Sequence, residues 1–92
     1  MNKLEQLKID MQKEYEKYKN LSNIKSNKSD TINGCLNRIA VSDNEQEVER
    51  CYNNLINYYI KEYKDIAREC HKQWVIYSNI FDEYVKEKNN ND

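Results

Sequence analysis

The stretch Ser42-Asp43-Asn44-Glu45 sets the topology of the chain, because it places a turn between two runs of helical spacing. It has the form of a capping box, in which the Ser42 side chain accepts a hydrogen bond from a backbone N–H group and Glu45 reaches back to the Ser42 backbone. A long helix is therefore predicted to begin here. Since the chain contains no proline, nothing forbids long helices on either side of the turn.

Downstream of this turn runs a single apolar stripe. It begins at Val48 and advances in steps of four, three and four residues, an 11-residue repeat of about 3.67 residues per turn. The spacing predicts one helix over residues 43–87, nearly straight or with a slight right-handed supercoil. The second half of the stripe is predicted to form either the core or a partner-binding surface, and it comprises Tyr59, Tyr63, Ile66, Trp74, Tyr77 and Phe81.

Immediately upstream of the turn, a short helix is predicted over residues 31–41. Asp30 precedes it, where a carboxylate would accept hydrogen bonds from free backbone N–H groups as the N-cap. Gly34, the only glycine, would lower the stability of such a helix and is expected to allow close approach of another helix. The packing face of this helix would consist of Ile32, Leu36 and Ile39.

The N-terminal part of the chain combines a predicted helix with a predicted loop. Residues 22–30 are rich in serine and asparagine, which is typical of a loop. Before them, apolar residues at steps of three and four predict an amphipathic helix over residues 2–22. Its stripe comprises Leu4, Leu7, Met11, Tyr15, Tyr18 and Leu21.

Together these segments predict an all-α protein, either a helical hairpin or a three-helix bundle with one long C-terminal helix. A single domain would cover residues 1–88, and the polar tail 89–92 would fray. A chain of 92 residues buries only a modest core. So long an apolar stripe therefore predicts a protein partner or self-association through the long helix.

Composition and charge exclude several classes of function. The net charge of −1 gives no reason to expect nucleic acid as a partner. No apolar run approaches the roughly 20 residues of a membrane span. The N-terminal segment has no signal-peptide pattern, and acidic residues interrupt its lysines, so a mitochondrial presequence is not expected either.

Catalytic and metal-binding patterns are also missing from the sequence. The single histidine, His71, has no carboxylate and no second metal ligand at three or four residues' distance on a helix. There is no Glu-x-x-His pair, and one glycine cannot build a phosphate-binding loop. The sequence therefore predicts a protein that is not an enzyme and needs neither a metal nor a cofactor.

The three cysteines, Cys35, Cys51 and Cys70, are the candidates for redox chemistry. None forms a Cys-x-x-Cys pair, so their spacing does not predict a zinc site. On one helix Cys51 and Cys70 would lie about 28 Å apart, whereas a disulfide needs Cα atoms within about 7 Å. Cys35 and Cys51 flank Asp43 symmetrically, so a hairpin would bring them to the same height. A disulfide between them and three buried reduced thiols both remain open.

One pattern resembles a known family. Residues 15–37 match aromatic-x2-aromatic-x2-Leu-x2-aliphatic-x5-Asp-x-Ile-x3-Leu-Asn, carried by Tyr15, Tyr18, Leu21, Ile24, Asp30, Ile32, Leu36 and Asn37. This pattern is similar to the N-terminal part of the caffeine-induced death protein family, small coiled-coil proteins of the mitochondrial intermembrane space. In this alignment Cys51 and Cys70 fill the positions of the family's two cysteines, although their spacing differs and Gln12 replaces a further cysteine.

The resemblance implies a helical, non-enzymatic protein with oxidised cysteines that modulates protein import into mitochondria. The expected function is therefore a small helical interaction protein, in this form a factor of the intermembrane space. The alternative is a cytosolic or nuclear coiled-coil subunit or adaptor of a larger complex, with reduced cysteines.

Overall fold

The computed structural model describes residues 2–91, which form two antiparallel helical arms. Helix α1 spans Lys3–Val41 and is the first arm. After a short turn, helix α2 spans Glu45–Asn54, a π-helical turn spans Leu55–Tyr59 and helix α3 spans Ile60–Asn91. These three segments follow one another without a break and form the second arm. The prediction of an all-α protein with one long C-terminal helix is confirmed, and its form is the helical hairpin.

The predicted loop over residues 22–30 is wrong, because α1 is helical throughout. The separate helices predicted over residues 2–22 and 31–41 are therefore one element. Asp30 lies inside this helix and is not an N-cap. The Thr31 side chain donates a hydrogen bond to the Asn27 carbonyl 3.1 Å away, a local bond that is compatible with an uninterrupted helix.

A heptad repeat of buried and half-buried side chains explains why the serine- and asparagine-rich segment, residues 22–30, is helical. Every residue at alternating steps of three and four from Leu4 to Ile39 is buried or half-buried, and the same holds from Tyr59 to Glu87 on the second arm. This is the spacing of a coiled coil and not the predicted 11-residue repeat. We call the two facing rows of side chains the seam. Within the segment, the seam positions of α1 are Lys25 and Lys28, so the apolar signal disappears while the packing continues.

Caps at the turn differ from the predicted capping box. Ser42 closes α1, since its backbone N–H donates to the Arg38 carbonyl at 2.9 Å. The N-cap of the second arm is Asn44, whose side-chain oxygen accepts from the N–H groups of Gln46 and Glu47 at 3.0 and 3.2 Å. The Ser42 hydroxyl accepts from the Asn44 N–H at 3.1 Å and joins the two caps. The turn is therefore located where it was predicted, with different residues at its caps.

The π-helical turn absorbs one residue of excess in the second arm. Beyond the turn of the hairpin, the seam continues through Val48, Cys51 and Leu55 and then steps four residues to Tyr59, where a regular heptad would step three. The Ile60 N–H bonds to the Leu55 carbonyl, five residues back, and this wider turn accommodates the extra residue. Both halves of the second arm therefore face α1.

The hairpin has a thin core. Its extents are 66 × 18 × 18 Å, and its accessible surface is 7047 Å², against about 5,700 Å² expected for a compact protein of this mass. Among the described residues no side chain is fully buried, and the buried apolar residues are Leu7, Cys35, Cys51, Leu55 and Cys70. Gly34 does not mark a close approach, since a Cβ atom added at this position would have no neighbour within 4 Å.

The far end of the second arm extends past the predicted limit at residue 87. Helix α3 continues to Asn91, so residues 89–91 of the predicted frayed tail are helical. Residue 92 lies outside the described residues. Near this end, Lys3 at the start of α1 approaches Glu87, with 3.6 Å between the Lys3 Nζ and Glu87 Oε2 atoms.

We expect Ser26→Pro to lower the free energy of unfolding by about 3 kcal/mol or more, because proline removes a helical hydrogen bond and clashes with the preceding turn. Ser26 lies in the middle of the segment that reads as a loop. The matched control is Ser26→Ala, for which we expect a change below about 0.5 kcal/mol. Urea unfolding followed by circular dichroism measures both. Equal stability of the proline variant and the wild type would contradict a continuous α1.

Deleting Ile56, an exposed residue of the π-helical turn, should convert the turn into regular α-helix and leave stability within about 0.5 kcal/mol of the wild type. Deleting Val75, which is exposed to a similar degree, should cost at least about 2 kcal/mol, because the seam residues that follow it rotate away from α1. Thermal and urea unfolding of the two variants test this expectation. Equal losses in both would show that the turn does not absorb an extra residue.

Candidate functional site

The seam divides the surface of the hairpin into two sides with different chemistry. On one side lies a continuous row of aromatic rings from both arms. On the other side lies an open groove with side chains of both charges, lined by Ile24, Lys28, Glu62, Asp65, Ile66, Arg68, Glu69 and Lys72. We call these the aromatic side and the charged side. The difference arises because positions next to the seam carry Tyr15, Trp74 and Phe81 on one flank and mostly charged residues on the other.

The aromatic ridge consists of Tyr15, Tyr18, Trp74, Tyr77 and Phe81. Two ring pairs cross between the arms: Tyr15 with Tyr77, whose centroids are 5.5 Å apart, and Tyr18 with Trp74, at 5.1 Å. Further pairs along each arm connect them, with centroid separations of 5.4 to 6.3 Å. All five pairs are tilted, with interplanar angles of 33° to 54°, so none is the parallel face-to-face stack that aromatic rings disfavour. The ridge therefore joins the two arms and also forms a surface.

Three of the rings remain open to solvent. Trp74 is 44% exposed, and Tyr15 and Phe81 are each 43% exposed. Trp74 and Phe81 of the predicted core or partner stripe therefore lie beside the seam, and the role of the stripe stays a prediction. The remaining members of that predicted stripe, Tyr59, Tyr63, Ile66 and Tyr77, are half-buried in the seam.

A shallow concavity adjoins the ridge at each of two places along the hairpin. The first lies toward the chain ends and is lined by Lys8, Met11, Gln12, Tyr15, Tyr77 and Tyr84. The second lies toward the turn and is lined by Tyr18, Lys25, Ala67, Cys70, His71 and Trp74. Both contain aromatic rings and basic or neutral polar groups, and no carboxylate lines either one. The aromatic side therefore offers apolar contacts edged by hydrogen-bond donors.

The charged side carries the ion pairs that connect the two arms. Lys28 Nζ lies 3.0 Å from a carboxylate oxygen of Glu62, and Lys3 pairs with Glu87. Lys28 is a seam residue, so its aliphatic stem covers the core while its ammonium group reaches solvent. Because these pairs are largely exposed, each contributes at most about 1 kcal/mol to stability. Their main effect is to satisfy the charges of polar seam positions.

A polar pair crosses the seam directly beneath the ridge. Gln73 is buried, and its side-chain amide donates to the Glu14 carbonyl at 2.9 Å and to the Glu14 carboxylate at 2.6 Å. The hydrogen bond from Gln73, followed by that from Lys17 at 3.1 Å, lowers the pKa of Glu14 below its ordinary 4.5. A pair of this kind fits only one alignment of the two arms. It thus fixes the register that brings Tyr15 and Tyr18 opposite Tyr77 and Trp74.

The three predicted redox residues are buried free thiols in the seam. Cys51 and Cys70 lie on the same uninterrupted arm, too far apart to bond within one chain. The heptad register places Cys35 and Cys51 in one layer next to the turn, and their pairing stays a prediction. Cys70 lines the second concavity beside the ridge.

The surroundings of His71 give it no partner for acid–base chemistry within the concavity it lines. Its neighbours there are aromatic, aliphatic, thiol and amino groups. Among residues 2–91, no group of histidine, cysteine and acidic side chains is arranged to hold a metal ion. None of the described helices is both long enough and apolar enough to cross a membrane.

Several residues of the site were missed as site residues from the sequence. The sequence predicts Tyr15 and Tyr18 as members of the packing stripe and of the family pattern, and it predicts no site role for Glu14 or Gln73. A strict heptad, counted from Cys70 in both directions, would have placed Gln73 in the seam and Trp74 beside it. The pairing of these residues across the two arms has no signal in the sequence, because it depends on the register of the hairpin.

The protein is thus a two-helix antiparallel coiled-coil hairpin with an exposed aromatic ridge. Comparisons with protein-family models, with curated proteins and with solved structures give no match to the chain. The resemblance to the caffeine-induced death protein family therefore stays an expectation.

Acidification should weaken the hairpin through Glu14. Because the folded-state pKa of Glu14 is lowered, the ionised carboxylate stabilises the fold at neutral pH, and this contribution is lost as the pH falls through that lowered value. We therefore expect the wild type to lose more unfolding free energy than Glu14→Gln when the pH falls from 7 to below 4.5. Urea unfolding at a series of pH values measures it.

The control for this experiment is Glu16→Gln, which removes an exposed carboxylate from the outside of α1 without touching Gln73. A wild-type-minus-Glu14→Gln difference that stays constant with pH would contradict the role of the Glu14–Gln73 pair.

Proposed function

We propose that this chain is a small non-enzymatic helical interaction protein that binds a protein partner through its aromatic ridge. The observation that carries the proposal is the exposure of three neighbouring large rings, Tyr15, Trp74 and Phe81, in one continuous cluster. Large aromatic residues are enriched at the centres of protein interfaces, where they bury a large apolar area with little loss of conformational entropy.

The shape of the hairpin supports a binding function. Two helices alone cannot enclose their apolar side chains, and the surface of 7047 Å² exceeds that of a compact chain of the same mass by about 1,300 Å². This excess is of the order that one partner contributes to a specific interface, about 800 Å². A partner on the aromatic side would cover rings that already touch one another and are held in position by the polar pair below.

The burial of the thiols favours the adaptor form of this proposal, a subunit of a larger complex with reduced cysteines. Its support is that Cys35, Cys51 and Cys70 are buried seam residues, which pack as small apolar side chains. The import-factor form, which the resemblance implies, needs oxidised cysteines. Cys51 and Cys70 on one unbroken arm do not support such a link within a single chain.

Photo-crosslinking tests the proposed surface. We replace Phe81 on the ridge, 43% exposed, or Ile76 on the other flank of α3, 46% exposed, with p-benzoylphenylalanine, and irradiate cells that naturally express the chain. A discrete protein adduct is expected from position 81 and not from position 76, because only the former lies in the contact surface. Mass spectrometry identifies the partner and separates it from an adduct of two copies, which would contain only this chain.

The same experiment with an added Trp74→Ser substitution should lower the yield of the adduct from position 81, since Trp74 contributes exposed area to the same ridge. Equal labelling from positions 76 and 81, or no adduct from position 81, would overturn the proposed function.

A further inference from the structure

We propose that the partner of the aromatic ridge is an amphipathic α-helix with acidic residues along its apolar stripe, which completes a three-helix bundle. This inference rests on the proposed function and adds the chemistry of the partner. It is carried by the juxtaposition of the exposed rings with two concavities that contain basic side chains and no carboxylate.

The charges around the ridge determine the sign of the charge that the partner carries. Lys8 lines the concavity on the chain-end side of Tyr15, and Lys25 and His71 line the one on the turn side of Tyr18. Three carboxylates connect the two arms. Glu62 and Glu87 pair with Lys28 and Lys3 away from these concavities. The charge of Glu14, below the rings, is already engaged by Gln73 and Lys17. A partner that covers the rings therefore places its flanking residues next to ammonium and imidazole groups, where carboxylates are favoured and lysines are repelled.

The form of the surface determines the shape of the partner. The ridge follows the line between two antiparallel helices, with one concavity toward each end. A third helix laid along this line can place side chains at steps of three and four against the rings and into the two concavities. From Lys8 to Lys25 this surface extends about 26 Å along α1. Three heptads of a partner helix, about 32 Å long, cover this distance. An extended strand would find no free sheet edge here, since the described residues are helical apart from Asn2 and the turn.

A second copy of the chain fits the surface less well than an acidic helix. If the aromatic sides of two copies met, Lys8 and Lys25 of each copy would lie on the same face as Lys8 and Lys25 of the other, and their like charges would oppose the contact. A net charge of −1 also gives no general attraction to anionic lipid or nucleic acid. The experiment below also tests these three other binding partners: a second copy of the chain, an anionic lipid surface and nucleic acid.

The probe is a synthetic peptide of three heptads with leucine at the a and d positions and glutamate at the e and g positions. The comparison peptide carries lysine in place of glutamate. Trp74 is the only tryptophan of the chain and lies on the ridge, so its fluorescence reports binding directly. We expect a blue shift of its emission with the acidic peptide and an affinity at least about tenfold higher than for the basic peptide, decreasing with added salt.

Charge reversal on the aromatic side should reverse the preference between the two peptides. The variant Lys8→Glu with His71→Glu changes two exposed residues that line the concavities. Its matched control is Lys72→Glu with Arg68→Gln, which makes the same change in net charge on the charged side. The control should keep the preference for the acidic peptide. Circular dichroism of both variants verifies that each remains a helical hairpin.

The outcomes separate this inference from the proposed function. Equal affinity for the two peptides, stronger binding of the basic peptide or no binding of either overturns the acidic-helix inference, while the crosslink from position 81 independently decides whether the ridge binds a protein. Two further results would also overturn it. One is concentration-dependent dimerisation in sedimentation equilibrium that Phe81→Ser abolishes. The other is a blue shift of Trp74 emission with anionic vesicles or with single-stranded RNA but not with the acidic peptide.

Discussion

Two narrow rows of side chains must face each other along the whole length of a two-helix rod, and the hairpin depends on this alignment. A two-helix structure has no second layer to cover a side chain that rotates off the seam, so each step along the chain has to be three or four residues in alternation. The second arm contains one residue too many between Leu55 and Tyr59, and the π-helical turn accommodates it. This local irregularity is what allows Cys51 and Cys70 to point into the same seam on either side of it.

The polar residues of the seam show how so hydrophilic a chain forms this rod. Lys25 and Lys28 occupy seam positions where apolar side chains are usual, and the Lys28 ammonium reaches Glu62 at the edge. Glu14 and Gln73 satisfy each other inside the seam, and within the described residues no buried polar side-chain atom lacks a partner. Polar layers of this kind lower stability in return for a single register. Here the register is what assembles the aromatic ridge from both arms.

The two sides of the rod differ because the positions that flank the seam differ. On the charged side, lysine and glutamate reach across and hold each other in solvent. On the aromatic side, the flanking positions are occupied by rings that pack on one another and leave a large fraction of their area exposed. The rings, together with the basic groups in the adjoining concavities, make this side the candidate binding surface. Its chemistry follows from packing, since no motif of catalysis or metal binding contributes to it.

The helical class, the position of the turn at residues 42–44 and the presence of one long C-terminal arm follow from the amino-acid sequence, because the absence of proline, the polar residues of the turn and the apolar spacing act locally. The sequence predicts a loop over residues 22–30, because this segment is rich in serine and asparagine and has lysines instead of apolar residues at its seam positions. The phase of the stripe at Trp74 and Phe81 also escaped prediction, since apolar residues beside a seam repeat with nearly the same period as those inside it. The packing of the two arms alone reveals which rings are exposed, that Glu14 meets Gln73, and that α1 is continuous. These features depend on the second arm, which supplies the contacts that override local preference.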